Sequence, residues 1–183
     1  MKNLIVLSIL LSTMSMSCSD QCKQNDCSYH GYCLDGNCNC DEGYSGESCH
    51  ISITPSAVKL NEISILSFPS TQNGESWDSI GVAGKPDVYF KLYMEEELLY
   101  KGVKIEENIE LGHQKCTEKV KIILSNYNKT YTLKLYDKDE GAIVDEYMCS
   151  LSFKLDDLAH LKQEHVSLND GETQIDFGMS FVY

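Results

Sequence analysis

Seven cysteines lie within the first 49 residues of this 183-residue chain, and two in all the rest. Six of the seven are spaced Cys22-x4-Cys27-x5-Cys33-x4-Cys38-x-Cys40-x8-Cys49. A stretch this short cannot bury a core of its own, so cross-links have to hold it, and cross-links persist in an oxidising compartment. The spacing therefore predicts an exported chain whose first folded unit, residues 22–49, is disulfide-rich.

Residues 1–17 read as a signal peptide: Lys2 is the only charge, Leu4 to Leu11 is almost unbrokenly apolar, and Ser12 to Ser17 supplies small residues. The apolar run is shorter than the ~20 residues a membrane-crossing helix needs, and no later segment is long and apolar enough, so no spanning helix is expected. Nine cysteines is an odd number, which leaves one to be modified or paired outside the chain. Cys18 is that residue. The string Met16-Ser17-Cys18-Ser19-Asp20 resembles the processing site of bacterial lipoproteins, although Ser15 and Met16 depart from the usual pattern. The resemblance implies that Cys18 becomes a lipidated N-terminus, with residues 18–21 as a short linker. The acidic, serine-containing stretch after it resembles the outer-surface export signal of Bacteroidetes surface lipoproteins. The expected location is then the outer membrane or cell surface, with a membrane partner through the anchor. Cleavage after Ser17 without lipidation is the alternative; it leaves Cys18 free or intermolecularly paired in a secreted protein.

The formal charge is −13, with 28 acids against 15 bases, none of them arginine. Losing Lys2 with the leader leaves 14 bases and a charge of about −14. Nucleic acid is excluded as a partner by that balance.

The six spacings, with Cys38-x-Cys40-Asp41-Glu42-Gly43-Tyr44 running on to Cys49, resemble the EGF-like module. Gly36 with Asn37, and Gly43 with Gly46, supply turn residues, and Tyr44 is a small packing anchor. Six cysteines allow fifteen pairings; the resemblance implies Cys22 to Cys33, Cys27 to Cys38 and Cys40 to Cys49. Four residues between Cys33 and Cys38 leave no room for the second half of the calcium motif that some EGF-like modules carry, so no calcium is expected there. The module reads as a stalk, or alternatively as a ligand site on its hairpins.

From residue 52 to 183 short alternating strands separated by Gly, Asn, Asp and Pro predict an eight-stranded antiparallel β-sandwich, making the chain mainly β. The expected strands are 58–68, 88–94, 98–105, 119–124, 130–136, 146–155, 165–168 and 175–183, with Asp156 to Lys162 a short helix or loop. In the sixth, Tyr147, Cys149, Leu151 and Phe153 alternate onto the inner face. Cys149 and Cys116 are then candidates for a fourth disulfide, the alternative being two buried thiols.

Two segments of this domain resemble C2 domains. Gly84-Lys85-Pro86-Asp87-Val88-Tyr89-Phe90-Lys91-Leu92 is similar to their loop-to-strand motif, and Tyr136-Asp137-Lys138-Asp139 followed by Asp145 to their third loop. The closing strand, Gly171 to Tyr183, resembles that of the type II version. The resemblance implies a C2-like sandwich of type II topology with Asp87, Asp137, Asp139 and Asp145 as Ca²⁺ ligands and Asp78 as a fifth. Carboxylates crowded at one strand end repel unless a hard cation sits between them. The alternative is a polar hairpin tip that needs no metal. Trp77, the only tryptophan, lies in a long glycine-containing connection, as a ligand contact or as a plug for the sandwich end.

No HExxH, G-x-S-x-G or phosphate-binding glycine loop is present, so an enzyme is not expected. The reading is a cell-surface lipoprotein whose EGF-like stalk carries a calcium-binding C2-like domain, acting in adhesion or in binding an outside protein, glycan or lipid. Its alternatives are a secreted structural or filament-forming protein and a calcium-dependent phospholipid-binding module.

Overall fold

The computed structural model describes residues 22, 27–71, 73–77, 85–103, 116–138 and 144–183. Residues 1–17, expected to be a leader, and Cys18, Asp78 and Asp139 lie outside them. The chain divides into two compact units, residues 1–52 and 53–183.

In the first unit Cys22 is bridged to Cys33, Cys27 to Cys38 and Cys40 to Cys49. Strands β1 (Gly31–Leu34) and β2 (Asn37–Cys40) form an antiparallel hairpin in which Leu34 faces Asn37. Asp35 and Gly36, with φ of 51° and 85°, make the two-residue turn whose positive dihedrals suit the strand twist. A second hairpin pairs β3 (Tyr44–Ser45) with β4 (Ile51–Ser52), so the unit runs past Cys49 to residue 52. Bridged sulfur replaces an apolar core: among the described residues of this unit, Cys27 and Cys49 are the buried side chains. Tyr44 is anchored by stacking on His30, ring centroids 3.8 Å apart.

The second unit is an antiparallel sandwich of eight strands: β5 (Ala57–Ser67), β6 (Val88–Met94), β7 (Glu97–Lys101), β8 (Cys116–Leu124), β9 (Tyr131–Asp137), β10 (Glu146–Phe153), β11 (His165–Asp170) and β12 (Thr173–Val182). One sheet is ordered β10-β9-β6-β7 and the other β11-β12-β5-β8. Period-two alternation forms them. In β9, Tyr131, Leu133 and Leu135 are buried while Thr132, Lys134 and Tyr136 stand half-open. Between β10 and β11, α1 (Leu155–Ala159) is one short turn whose Leu155, Leu158 and Ala159 share the buried face. Asp157 caps it by accepting the Lys154 N–H at 2.7 Å.

Two sequence expectations need correction. A bulge at Met148 breaks the alternation of β10. The extra residue turns Tyr147 outward, 51% exposed, and buries Met148 in its place. The expected Cys116–Cys149 bridge is also absent. Cys149 keeps its thiol, next to Thr173 of β12, and burial raises its pKa against an opposing hydrogen bond from Thr173. Cys116 opens β8, at the far edge of the sheet that holds β12. Alternation turned Cys149 inward, and Cys116 is buried as well, but strand order put the two at opposite edges of the core.

The register brings three connections to one end of the sandwich. Val88 and Glu146 both oppose Asp137, Lys91 opposes Lys101, and Ile65 opposes Cys116. The strand ends Ser67, Val88, Lys101, Cys116, Asp137 and Glu146 therefore lie on the same side. A buried carboxylate ties the sheets together there: Glu118 of β8 accepts the Tyr100 hydroxyl at 2.6 Å and the Val103 N–H at 3.2 Å. Gly102 fits closely beside it: a Cβ would lie 3.0 Å from Glu118 Oε2 and 3.1 Å from the Phe90 carbonyl, so a side chain there would make these neighbours shift by a few tenths of an ångström.

Candidate functional site

Asp87 immediately precedes β6, Asp137 ends β9 and Asp145 immediately precedes β10. Since Val88 and Glu146 flank Asp137 on either side, aspartates from three parts of the sequence stand at one strand end. Asp137 is fully buried. Its Oδ1 accepts the Asp87 N–H at 2.7 Å, and the Lys138 N–H returns to the Asp87 carbonyl at 2.9 Å. Asp145 Oδ2 accepts the Tyr89 hydroxyl at 2.5 Å. Burial first, and the Asp145 carboxylate second, push the Tyr89 hydroxyl well above the ordinary tyrosine range. Tyr89 therefore remains a donor at any ordinary pH.

Asp145 also lines a cleft of about 430 Å³ together with Tyr89, Lys101, Gly102, Val103 and Lys138. The pairing of Asp145 with Tyr89 was not legible in the sequence. Alternation from Asp87 puts Tyr89 on the outer sheet face, but the partner stands 56 residues away. Two apolar tips rise at the same end, Val103 and Val144, 83% and 85% exposed. Asp78 and Asp139, two of the five expected ligands, lie outside the described residues. Among the described residues no three His, Cys, Asp or Glu side chains are disposed to hold a metal ion.

Trp77 is no surface contact. It is 6% exposed within the core cluster, and its Nε1–H donates to the Pro69 carbonyl at 2.9 Å. Of its two possible roles it has the plug: a large indole closes the core while its N–H satisfies a connecting backbone. Being the sole tryptophan, it reports on this end of the sandwich. Its fluorescence is expected to resist iodide quenching in the native state and to become quenchable on unfolding; strong quenching of the native protein would contradict the burial.

No family model matches the chain, and no curated protein matches it. Solved structures do. Human GIVD cytosolic phospholipase A2, solved in complex with methyl gamma-linolenyl fluorophosphonate, is similar over 70% of this chain at 12% identity and a TM-score of 0.48, and only 18% of the phospholipase is spanned. A structure described as a C2 domain is similar over 69% of this chain and 98% of its own, at 12% identity and a TM-score of 0.46. A structure of the paired C2 domains of Extended-Synaptotagmin 2 is similar over 72% of this chain and 43% of its own, at 10% identity and a TM-score of 0.41. No residue role passes from these structures to this chain.

Proposed function

We propose that the chain is a cell-surface lipoprotein, anchored through Cys18, whose C2-like sandwich uses Ca²⁺ at its acidic end to hold loops that bind an outside ligand. The observation that carries this reading is the convergence of Asp87, Asp137 and Asp145 on one strand end. Two of these carboxylates already accept a hydrogen bond each, and Asp145 Oδ1 has no partner among the described residues. A cation that takes six to eight oxygens needs more than this pair. Asp139, two residues beyond Asp137, is the carboxylate the sequence supplies for it. A Ca²⁺ ion here would neutralise the cluster and stiffen the loop that ends at Asp145.

Calorimetric titration of the full chain with Ca²⁺ tests this. Binding heat is expected, and the double variant Asp137→Asn with Asp139→Asn is expected to abolish it while the native fluorescence of Trp77 is kept. Absence of heat from the native protein, or undiminished binding by the folded variant, would end the calcium reading. The anchor is checked separately by the mass of the N-terminal peptide, where an unacylated Cys18 would leave only the secreted alternative.

A second reading is favoured by Val103 and Val144, exposed beside Lys101 and Lys138 at the acidic end. Apolar tips flanked by cations suit the boundary of an anionic bilayer. Sedimentation with anionic vesicles that requires Ca²⁺ would support it; no pelleting in the presence of saturating Ca²⁺ would dismiss it.

A further inference from the structure

The cross-linked unit presents an uncharged face of its first hairpin to the outside. Alternation sends Cys33, Cys38 and Cys40 inward to their bridges and Tyr32 and Leu34 outward, with Asn39 and Asn37 opposite them. Tyr32 and Leu34 are 57% and 58% exposed, and the Asn39 side-chain amide donates to the Tyr32 hydroxyl. The pair has no interior to enter. On the other side of β1 the fit is already tight, since a Cβ at Gly31 would lie 2.5 Å from the Asn39 carbonyl and 2.9 Å from the Cys49 sulfur. Tyr29, in the turn that leads into β1, is exposed as well.

This face stands close to where the proposed anchor joins the folded chain. Cys22 is bridged to Cys33, which lies between Tyr32 and Leu34, with Cα atoms 5.6 Å apart. The four peptide steps from Cys18 to Cys22 span about 14 Å when fully extended. An acylated Cys18 therefore keeps the backbone of β1 within roughly 20 Å of the lipid. Residues 22–52 hold five acids and one lysine, but β1 and β2 themselves carry no acid or base.

We infer that the face of Tyr32 and Leu34 lies against the bilayer that holds Cys18, at the level of uncharged lipid headgroups. The inference rests on the anchor proposed above and adds which side of the unit meets the lipid. A tyrosine ring with a polar tip suits the zone where hydrocarbon gives way to water. Leu34 adds apolar area, and the two asparagine amides replace lost water with headgroup hydrogen bonds. Asp35, at the turn, keeps the contact shallow, because a carboxylate is costly in the hydrocarbon. The acid excess of the unit opposes an anionic surface and favours a zwitterionic one such as phosphatidylcholine. Acyl chains would supply the attachment, and this face the orientation of the unit, without any need for Ca²⁺.

The test reconstitutes the mature acylated chain in phosphatidylcholine vesicles in EDTA, with bromine on the acyl chains near the glycerol end and Tyr32→Trp as the probe. The parent protein, whose only tryptophan is the buried Trp77, supplies the background. The introduced indole is expected to shift to the blue and to lose most of its emission to the bromine. Adding Leu34→Asp is expected to abolish the shift and most of the quenching while the amide dispersion of residues 27–52 is kept. Ile123→Asp, at an exposed apolar position of the sandwich, is expected to change nothing. The inference is overturned by an indole that stays in water, by quenching that survives Leu34→Asp, or by quenching that requires anionic lipid and Ca²⁺. Shielding of the indole from iodide before lipid is added would assign the face to a second copy of the chain and overturn it too. The mass of the N-terminal peptide separates the two levels: an unacylated Cys18 removes the anchor and this inference together, whereas an acylated Cys18 with an unshifted indole overturns the inference alone.

Discussion

Full reduction of the three disulfides is expected to unfold residues 22–52 while the sandwich stays native. The bridges close loops with sequence separations of 11, 11 and 9, and each contributes about 2–3 kcal/mol by restricting the unfolded chain. Among the described residues of the unit nothing else matches that sum. Its longest strands have four residues, and the exposed Tyr29, Tyr32, Leu34 and Ile51 show how little apolar surface it covers. No bridge among the described residues lies in the sandwich, whose stability comes from its apolar interior. Amide dispersion of residues 27–52 should collapse on adding reductant, whereas Trp77 emission should not move. A joint transition would show that the second unit depends on the first.

Phe177→Ala is expected to cost the sandwich about 4 kcal/mol and to lower its Tm by on the order of 15 °C. Phe177 of β12 is fully buried, and its ring meets Phe153 of β10 in the opposite sheet at 5.0 Å. Phe153 in turn stacks on Tyr131 of β9 at 5.7 Å. Truncation would open a cavity between two sheets whose backbones are fixed by full ladders and cannot collapse into it. Phe177→Leu, which fills most of the space, is expected to cost about 1–2 kcal/mol. Denaturant unfolding followed by Trp77 fluorescence measures both; a loss under about 2 kcal/mol for the alanine variant would mean that the aromatic contact does not join the sheets.

Local pattern made the eight strands legible, because an alternation of buried and open residues such as that of Tyr131–Asp137 states both the element and its inner face. Its reach ended where one residue was inserted. Met148 reverses the facing of Tyr147, and nothing in the string Glu146–Phe153 announces that a backbone step has been added there. The same limit applies to the cysteines of the sandwich. Inward facing could be read for Cys149, but its pairing with Cys116 depends on which strands become neighbours. In the first unit cysteine spacing announced a cross-linked module, and choosing one pairing among fifteen took either a family resemblance or coordinates.

The cross-linked N-terminal unit, strand alternation and the acid excess follow from composition and short-range periodicity, so they are properties of the string of residues. The meeting of Asp87 with Asp137 and of Tyr89 with Asp145, and the burial of Trp77, depend on sheet order and register. Those are set by how the whole interior packs, since a one-residue slip would carry every side chain of a strand to the opposite face.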